Sequence, residues 1–431
     1  MVNTLLLMMK DTVVMRINLD TSVYDILAPE LLPFSLQNKF HPVLRYEDIH
    51  SKYDDTQRQI AIQKNKEFLY SFLSHRVLPI TRENAKKIYN IFGFSQSQDD
   101  FSKIRISLAC RALSLQDNYW VKLESDPTCW SEVDLRKNSL SDAVAQVSLH
   151  GSSLTLANRK KAAMHTPELT GQGAYAKAWF REPNGLYLYK KGANGNFESK
   201  VEVMISNILD KCNVHHLRYT ADTSNDTYVC KCMCMTNNKV SILPGVDFYT
   251  WCNVHGKDNH KEALRIDPDA IYKMWIVDYL ISNTDRHGLN WGFYYNCETM
   301  EILGCHPLYD HNNAFDTELM KSAEASYVYD DSMTIHEAAL AAIKNVDFHF
   351  TSEITREDFL TDRQYQSFMS RAKELGIKTD WTYDDDIIAV MNKYTLPDTL
   401  QHVKTLLPYV QLSGQELDSI ISKMKKESLE C

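Results

Sequence analysis

Glycine and proline are scarce in this chain, 14 and 12 among 431 residues. Collagen-like and low-complexity proteins need far more of both, so those classes are excluded. No stretch approaches the ~20 consecutive apolar residues that span a bilayer. The N-terminal run Leu5-Leu6-Leu7-Met8-Met9 is too short for the apolar region of a secretory signal, and no basic residue precedes it. Positive charge is in deficit as well: 47 Lys and Arg stand against 56 Asp and Glu, a formal charge of −9. A general nucleic-acid binder carries a basic surface that displaces counterions. Neither direct nucleic-acid contact nor membrane contact is therefore expected. The ten cysteines are dilute over this length, whereas a secreted disulfide scaffold is short and Cys-dense. The expectation is a cytoplasmic protein with reduced thiols.

What is present is an ordinary folded composition, 44% hydrophobic and 24% charged, and a length that fits about three domains. The chain opens as a hairpin, LLLMM and VVMRI around Lys10-Asp11. Helices are predicted over 56–75, over 82–92 behind Thr81 as N-cap, and over 101–115, followed by a segment Asp117–Lys122 around Trp120. Between 137 and 162 the chain turns polar and small, and a boundary is placed there. ELTGQGAYAKAWF then reads as strand, glycine turn, strand, and LYLYKK as a third strand. Val201, Met204, Ile205, Ile208, Leu209 and Cys212 mark an amphipathic helix. Strands around LRYTA and TYVCKCMCM flank the turn SNDT, and a crossing point falls near 235–246. Asp267-Pro268 starts a largely apolar helix that ends at Asn283. A hairpin (WGFYY, NCET, MEILG) follows, then helices over 335–344, 355–375, 384–393, 397–407 and 414–427. The reading is three parts: 1–150, an N-terminal accessory domain; 151–240, a small sheet with one helix; and 241–431, mainly helical.

Four features occur in a telling order. A glycine turn (Gly171, Gly173) precedes a strand-end lysine, Lys190, and a helix with Glu202 on the flank of its buried face. Much later a loop reads Asp285-Arg286-His287-Gly288-Leu289-Asn290, and a hairpin ends in Pro307-Leu308-Tyr309-Asp310. Phosphoryl transfer needs such a set, because its transition state spreads negative charge and is stabilised by positioning and neutralisation. A glycine turn lets backbone amides approach phosphates. A strand lysine, held by a helix carboxylate, contacts them. A loop aspartate orients the acceptor hydroxyl, and an asparagine five positions later with a further aspartate suits Mg²⁺. Each piece alone has a plain reading as turn, solvated side chain or backbone cap. The set in this order is harder to explain that way, and the Asp285 block is its strongest part.

NTDRHGLNWGF followed by HPLYDHNNAFD resembles the catalytic and metal-binding segments of HipA-like serine/threonine kinases. TPELTGQGAYAKAWF, LYLYKKG and VEVMISNIL resemble that family's nucleotide lobe. The resemblance covers about 160–330, and RENAKKIYNIFG and ALSLQDNYWVK are similar to N-terminal extensions of some HipA-like proteins. It implies an α+β fold of two kinase-like lobes, a small antiparallel-sheet lobe and a helical lobe, behind an N-terminal accessory domain. It implies ATP and Mg²⁺, a protein Ser/Thr hydroxyl as acceptor, a toxin-like or regulatory role, and an antitoxin-like protein partner. Asp285 becomes the catalytic base, Asn290 and Asp310 the metal ligands, Lys190 the phosphate-contacting lysine and Glu202 its ion-pair partner. His287 supports the loop or a phosphate, and Lys177 reaches phosphate from the second strand. Lys191 stays open as the alternative to Lys190, and Glu198 to Glu202. Backbone groups of Cys232 to Met235 form the adenine hinge. The HRD, DFG and APE motifs of ordinary protein kinases are missing. Residues 169–177 hold Thr170 but no serine, so the family's serine autophosphorylation switch does not transfer.

Other readings compete. DRHGLN also fits the D-R-H-x-x-N loop of phosphatidylinositol kinases, although Arg286 is the only Lys or Arg in 276–320. A catalytically silent binding module and a helical adaptor complete the set. Cys230, Cys232 and Cys234, with Cys252 and His255, hint at a metal, but a spacing of two places thiols on one strand face rather than in a zinc knuckle. The 23 tyrosines are assigned to core and interface packing, because no basic groove accompanies them.

Overall fold

The computed structural model describes residues 4–40, 54–153, 164–315 and 326–379, except 22, 98, 194 and 328. The fold is mixed α+β with antiparallel sheets. The predicted N-terminal hairpin is strands β1 (Thr4–Met9) and β2 (Thr12–Asn18). It is widened by β3 (Tyr24–Ile26) on one side and β4 (Tyr119–Leu123) on the other, in the order β3-β2-β1-β4. Every residue of β1 is buried, as a strand covered on both faces must be.

The helix Asp55–Ser74 starts in a capping box of Asp54 and Gln57. The next helix, Ala85–Phe92, begins later than predicted: Asn84, in left-handed backbone, precedes it, and Thr81 does not cap it. The third, Asp100–Ala109, stops six residues short of the expected end because Arg111 and Ala112 both turn through positive φ. The polar stretch after 137 holds a helix, Asp142–His150, with Val144, Ala145, Val147, Ser148 and Leu149 buried. Its apolar stripe packs against the neighbouring sheet, between polar flanks that hid it.

That sheet is β5 (Lys177–Glu182), β6 (Gly185–Lys190), β7 (Tyr219–Ser224) and β8 (Thr227–Met233), ordered β5-β6-β8-β7. Among the described residues 164–176 the expected strand before the glycine turn is not formed. Pro167–Leu169 forms a single 3₁₀ turn there, its proline fixing the helical φ. The helix Phe197–Leu209 crosses the sheet and buries Val201, Met204, Ile205, Ile208 and Leu209, the stripe that periodicity marked.

The crossing region contains a strand that the sequence reading missed, β9 (Val240–Pro244), which pairs with β10 (Gly292–Asn296) beside β11 (Ile302–Cys305). Two helices, Gly245–Val254 and Asn259–Ile266, lead into the predicted one, Pro268–Leu280. Phe248, Trp291 and Phe293 pack edge to face and tilted around this sheet, so aromatics do build core here. Further on, Ile335–Ala342 is helical, while 355–375 divides into a 3₁₀ turn Arg356–Asp358 and a helix Asp362–Glu374. The helices expected at 384–393, 397–407 and 414–427 lie outside the described residues. Among the described residues no helix is long and apolar enough to cross a membrane.

Candidate active site

The Asp285 loop grows from the end of a buried helix. Asp267 caps the start of Pro268–Leu280, accepting from Ala270 N–H at 3.2 Å, and its other oxygen accepts from Cys305 N–H at 2.9 Å, which ties the helix to β11. At the far end Ser282 turns through a φ of 55°. Asn283 folds back, its Nδ2 donating to Asp278 Oδ1 at 2.8 Å. Arg286 then enters the interior. Its Nε and Nη2 donate to Asp278 Oδ2 at 3.0 Å and Oδ1 at 2.8 Å, and both side chains are 0% exposed. Its Nη1 donates to Asn290 O at 2.7 Å and Tyr309 O at 3.0 Å. One guanidinium therefore joins the helix, the loop and the residue before Asp310. A buried pair is tolerable when its donors find acceptors, whereas either partner alone would leave a charge in the core.

Within the loop, Asn290 Nδ2 donates to the backbone oxygen of Asp285 at 2.9 Å. This use of the amide nitrogen leaves Oδ1 as the acceptor available to a cation. The Asp285 side chain is 38% exposed. Its Oδ2 accepts from Asn313 Nδ2 at 2.7 Å, and its Oδ1 lies 3.7 Å from His287 Nε2. His287 Nδ1 accepts from Leu289 N–H at 3.2 Å, which assigns the proton of a neutral ring to Nε2, the nitrogen nearer Asp285.

The lysines come from the β5–β6 hairpin, where Lys177 sits opposite Lys190 in register. Directly opposed residues share a sheet face. Lys190 is ion-paired with Glu202, and its Nζ lies 2.5 Å from Asp310 Oδ1. Glu202 Oε2 also accepts from His311 N–H at 3.2 Å. Asp310 itself has a φ of 60°, left-handed backbone that is uncommon for a residue with a Cβ. Burial opposes ionisation of Asp310, but Lys190 and Lys177 outweigh it and hold the carboxyl well below the usual range. Burial likewise opposes charge on Lys190, and Asp310 and Glu202 outweigh it, so the ammonium is retained. In Glu202 burial dominates and pushes the carboxyl up to about 7 against Lys190. Glu202 is the member of this cluster that takes a proton first.

Gly173 has a φ of +98°, and a Cβ there would land on Lys177 Nζ. A Cβ on Gly171 would lie 2.8 Å from Arg82 Nη1. Both glycines thus leave room for a cation beside the backbone. Burial, then Arg82, pushes the Lys177 ammonium down to about 7.

The structure gathers Lys190, Glu202 and Asp310 in direct contact, joins the Asp285 loop to the residue before Asp310 through Arg286, and sets Lys177 opposite Lys190 with Gly173 beside Lys177. Lys191 continues past β6, with its N–H donating to Ala176 O at 2.9 Å. Glu198 packs against Gly192. Cys234 N–H donates to Leu186 O at 2.8 Å, so one amide of the expected hinge is already used. Cys230 and Cys232 are buried in β8 beside the Lys190 strand.

No protein-family model matches the sequence, and no curated protein matches it. Solved structures similar to it include the following two. One is from the Shewanella oneidensis MR-1 toxin–antitoxin system, HipA and HipB with operator DNA, at 9% identity and a TM-score of 0.43, covering 87% of this chain and 98% of that one. The other is the Helicobacter pylori proinflammatory kinase CtkA, at 14% identity and a TM-score of 0.32, covering 50% of this chain and 84% of that one. Both scores are below one half.

Three residues escaped the sequence reading. Asp278 carried a signal, since a lone carboxylate in the apolar helix AIYKMWIVDYLI requires a buried partner. Arg286 was read only as part of a motif. Asn313, the donor to Asp285, lies in the segment HPLYDHNNAFD but was given no role there.

Proposed function

We propose that this chain is an ATP-dependent phosphotransferase with a two-lobed, kinase-like arrangement, passing the γ-phosphoryl group to a Ser/Thr hydroxyl of a protein. The observation that supports it is the contact of Lys190 with both Glu202 and Asp310, beside a loop in which Arg286 binds the carbonyls of Asn290 and Tyr309. Side chains from β6, the Phe197–Leu209 helix, the Asp285 loop and the Asp310 turn meet at one place. On this reading 151–240 is the nucleotide side, 241–431 the catalytic side and 1–150 an accessory part, with the helix Asp142–His150 packed on β5.

Lys190 and Lys177 receive the phosphates, and Glu202 keeps Lys190 oriented. Asp285 accepts the proton of the acceptor hydroxyl through Oδ1, because Asn313 occupies Oδ2. His287 Nε2 lies beside that oxygen and steadies the incoming group. The carboxylate of Asp310 and the amide oxygen of Asn290 are hard oxygen donors that fit Mg²⁺. When bound, Mg²⁺ supplies positive charge to neutralise the phosphate oxygens.

The Shewanella neighbour was solved with HipB and operator DNA, and an antitoxin-like protein partner belongs to this proposal. The expectation of no direct nucleic-acid contact stands on the charge of −9 alone. Incubation with γ-labelled ATP, Mg²⁺ and a host lysate tests the function. Labelled protein supports it, labelled lipid redirects it to phosphatidylinositol, and no label beside intact nucleotide binding makes the chain a silent binding module.

A further inference from the structure

The glycine turn is gripped by a segment almost a hundred residues upstream. Leu78 N–H donates to Leu169 O at 2.7 Å and Glu83 N–H to Ala174 O at 2.9 Å. Gln172 Nε2 donates to His75 O at 2.8 Å and Val77 O at 2.9 Å. Arg82 spans the turn, with Nη1 donating to Gly171 O at 3.3 Å and Nη2 to Lys177 O at 2.8 Å. Arg82 is only 4% exposed, and its Nε has no hydrogen-bond partner among the described residues. Burying an imperfectly satisfied guanidinium costs stability, so the fold carries this residue at a cost that ordinary packing would avoid. Glu168, 1% exposed, balances the charge and accepts from Trp179 N–H at 2.9 Å.

These bonds fix both ends of the turn. Gly171 and Lys177, whose carbonyls Arg82 binds, bracket Gly173 and the Lys177 ammonium beneath it. A loop that must offer backbone amides and an ammonium to phosphate loses affinity if it has to be ordered on binding, and gains affinity if it is ordered beforehand. We propose that residues 75–83 are a clamp that pre-orders the glycine turn for nucleotide, with Arg82 as its positioning residue, so that the N-terminal part of the chain sets ATP affinity. This rests on the reading of the turn as phosphate-facing. Arg82 touches no reacting atom, and its removal acts on binding rather than on the transfer step.

The test uses full-length chain with Arg82→Met, Arg82→Lys and Gln172→Leu. Hydrogen exchange of the amides of 171–177 is followed without nucleotide, and KM for Mg-ATP and kcat are measured separately. Arg82→Met and Gln172→Leu are each expected to speed exchange in the turn and raise KM about tenfold, the scale of one charge-assisted or two neutral hydrogen bonds lost. The same variants should hold kcat within about threefold of wild type, since uniform binding alone is lost. Arg82→Lys should recover part of the KM, because one donor and the charge remain. Should Arg82→Met fail to fold, Gln172→Leu and Arg82→Lys carry the same readouts. Variants that match wild-type KM, or that lose kcat with KM unchanged, overturn the clamp while leaving the phosphotransferase reading intact. A wild-type chain that binds no Mg-ATP overturns both.

Discussion

Arg286 reaches back eight residues to Asp278 and forward four to the carbonyl of Asn290, whereas Arg82 reaches across 89 and 95 residues to Gly171 and Lys177. The Asp285 loop is braced chiefly by the helix that delivers it, with Tyr309 and Asn313 closing on it from the turn that follows. The glycine turn is braced from outside, by a segment of another part of the chain. A loop braced from within shares the stability of its helix and opens only when the helix does. A loop braced from outside can loosen while the sheet beneath it stays folded. On the proposed reading, adjustment is expected at the glycine turn sooner than at the Asp285 loop.

Several substitutions bear on that contrast. Asp285→Ala is expected to cost about 10²–10⁴-fold in transfer, the usual scale of a general base, with Mg-ATP binding and melting temperature nearly unchanged. Loss of the fold instead would show that Asp285 is a structural cap. Asp278→Ala leaves Arg286 buried without its carboxylate, and denaturant titration should read a loss of about 3–5 kcal/mol. A smaller loss there would mean that the loop is not self-braced. Asn313→Asp replaces the donor to Asp285 Oδ2 with a second carboxylate, so the transfer rate should fall about tenfold with Mg-ATP binding kept, and an unchanged rate removes Asn313 from the site.

A separate effect is in the stability of the nucleotide-free chain against pH. The folded state raises Glu202 from 4.5 to about 7, so it binds more protons than the unfolded chain across that window, and this group's contribution falls as pH rises. The folded state lowers Lys177 from 10.5 to about 7, so the unfolded chain binds more protons above 7, and that contribution rises with pH. Lys177→Met should flatten the alkaline rise in a series of denaturant titrations from pH 7 to 10. A rise of unchanged slope would place the titration elsewhere.

The same contrast explains what could be read in the sequence. The Asp285 loop was legible because its residues lie within a few positions of one another and just past the end of the helix Pro268–Leu280. The stripe Val201, Met204, Ile205, Ile208 was legible because helical periodicity is local. The strand β9 was hidden, because Val240–Pro244 earns its place only by pairing with β10, some fifty residues on. The helix Asp142–His150 was hidden because its apolar stripe lies between polar flanks. The role of Arg82 was invisible for the same reason: nothing near position 82 announces a carbonyl at 171 or 177. The start at Ala85 rather than near Thr81 likewise reflects a segment already committed to holding the turn.

The hairpin that carries Lys177 and Lys190 constrains how this chain can change length. The two strands are paired without a bulge from Lys177↔Lys190 to Glu182↔Gly185, closed by Pro183-Asn184. Side chains alternate between faces with a period of two, so one added or deleted residue inside either strand would send one lysine to the opposite side of the sheet. Insertions are tolerable at the Pro183-Asn184 tip, away from the lysines, or as balanced pairs, one in each strand. Among length variants of this hairpin, single-residue changes within 178–182 or 185–189 should abolish ATP binding, while the same change at the tip should leave it in place.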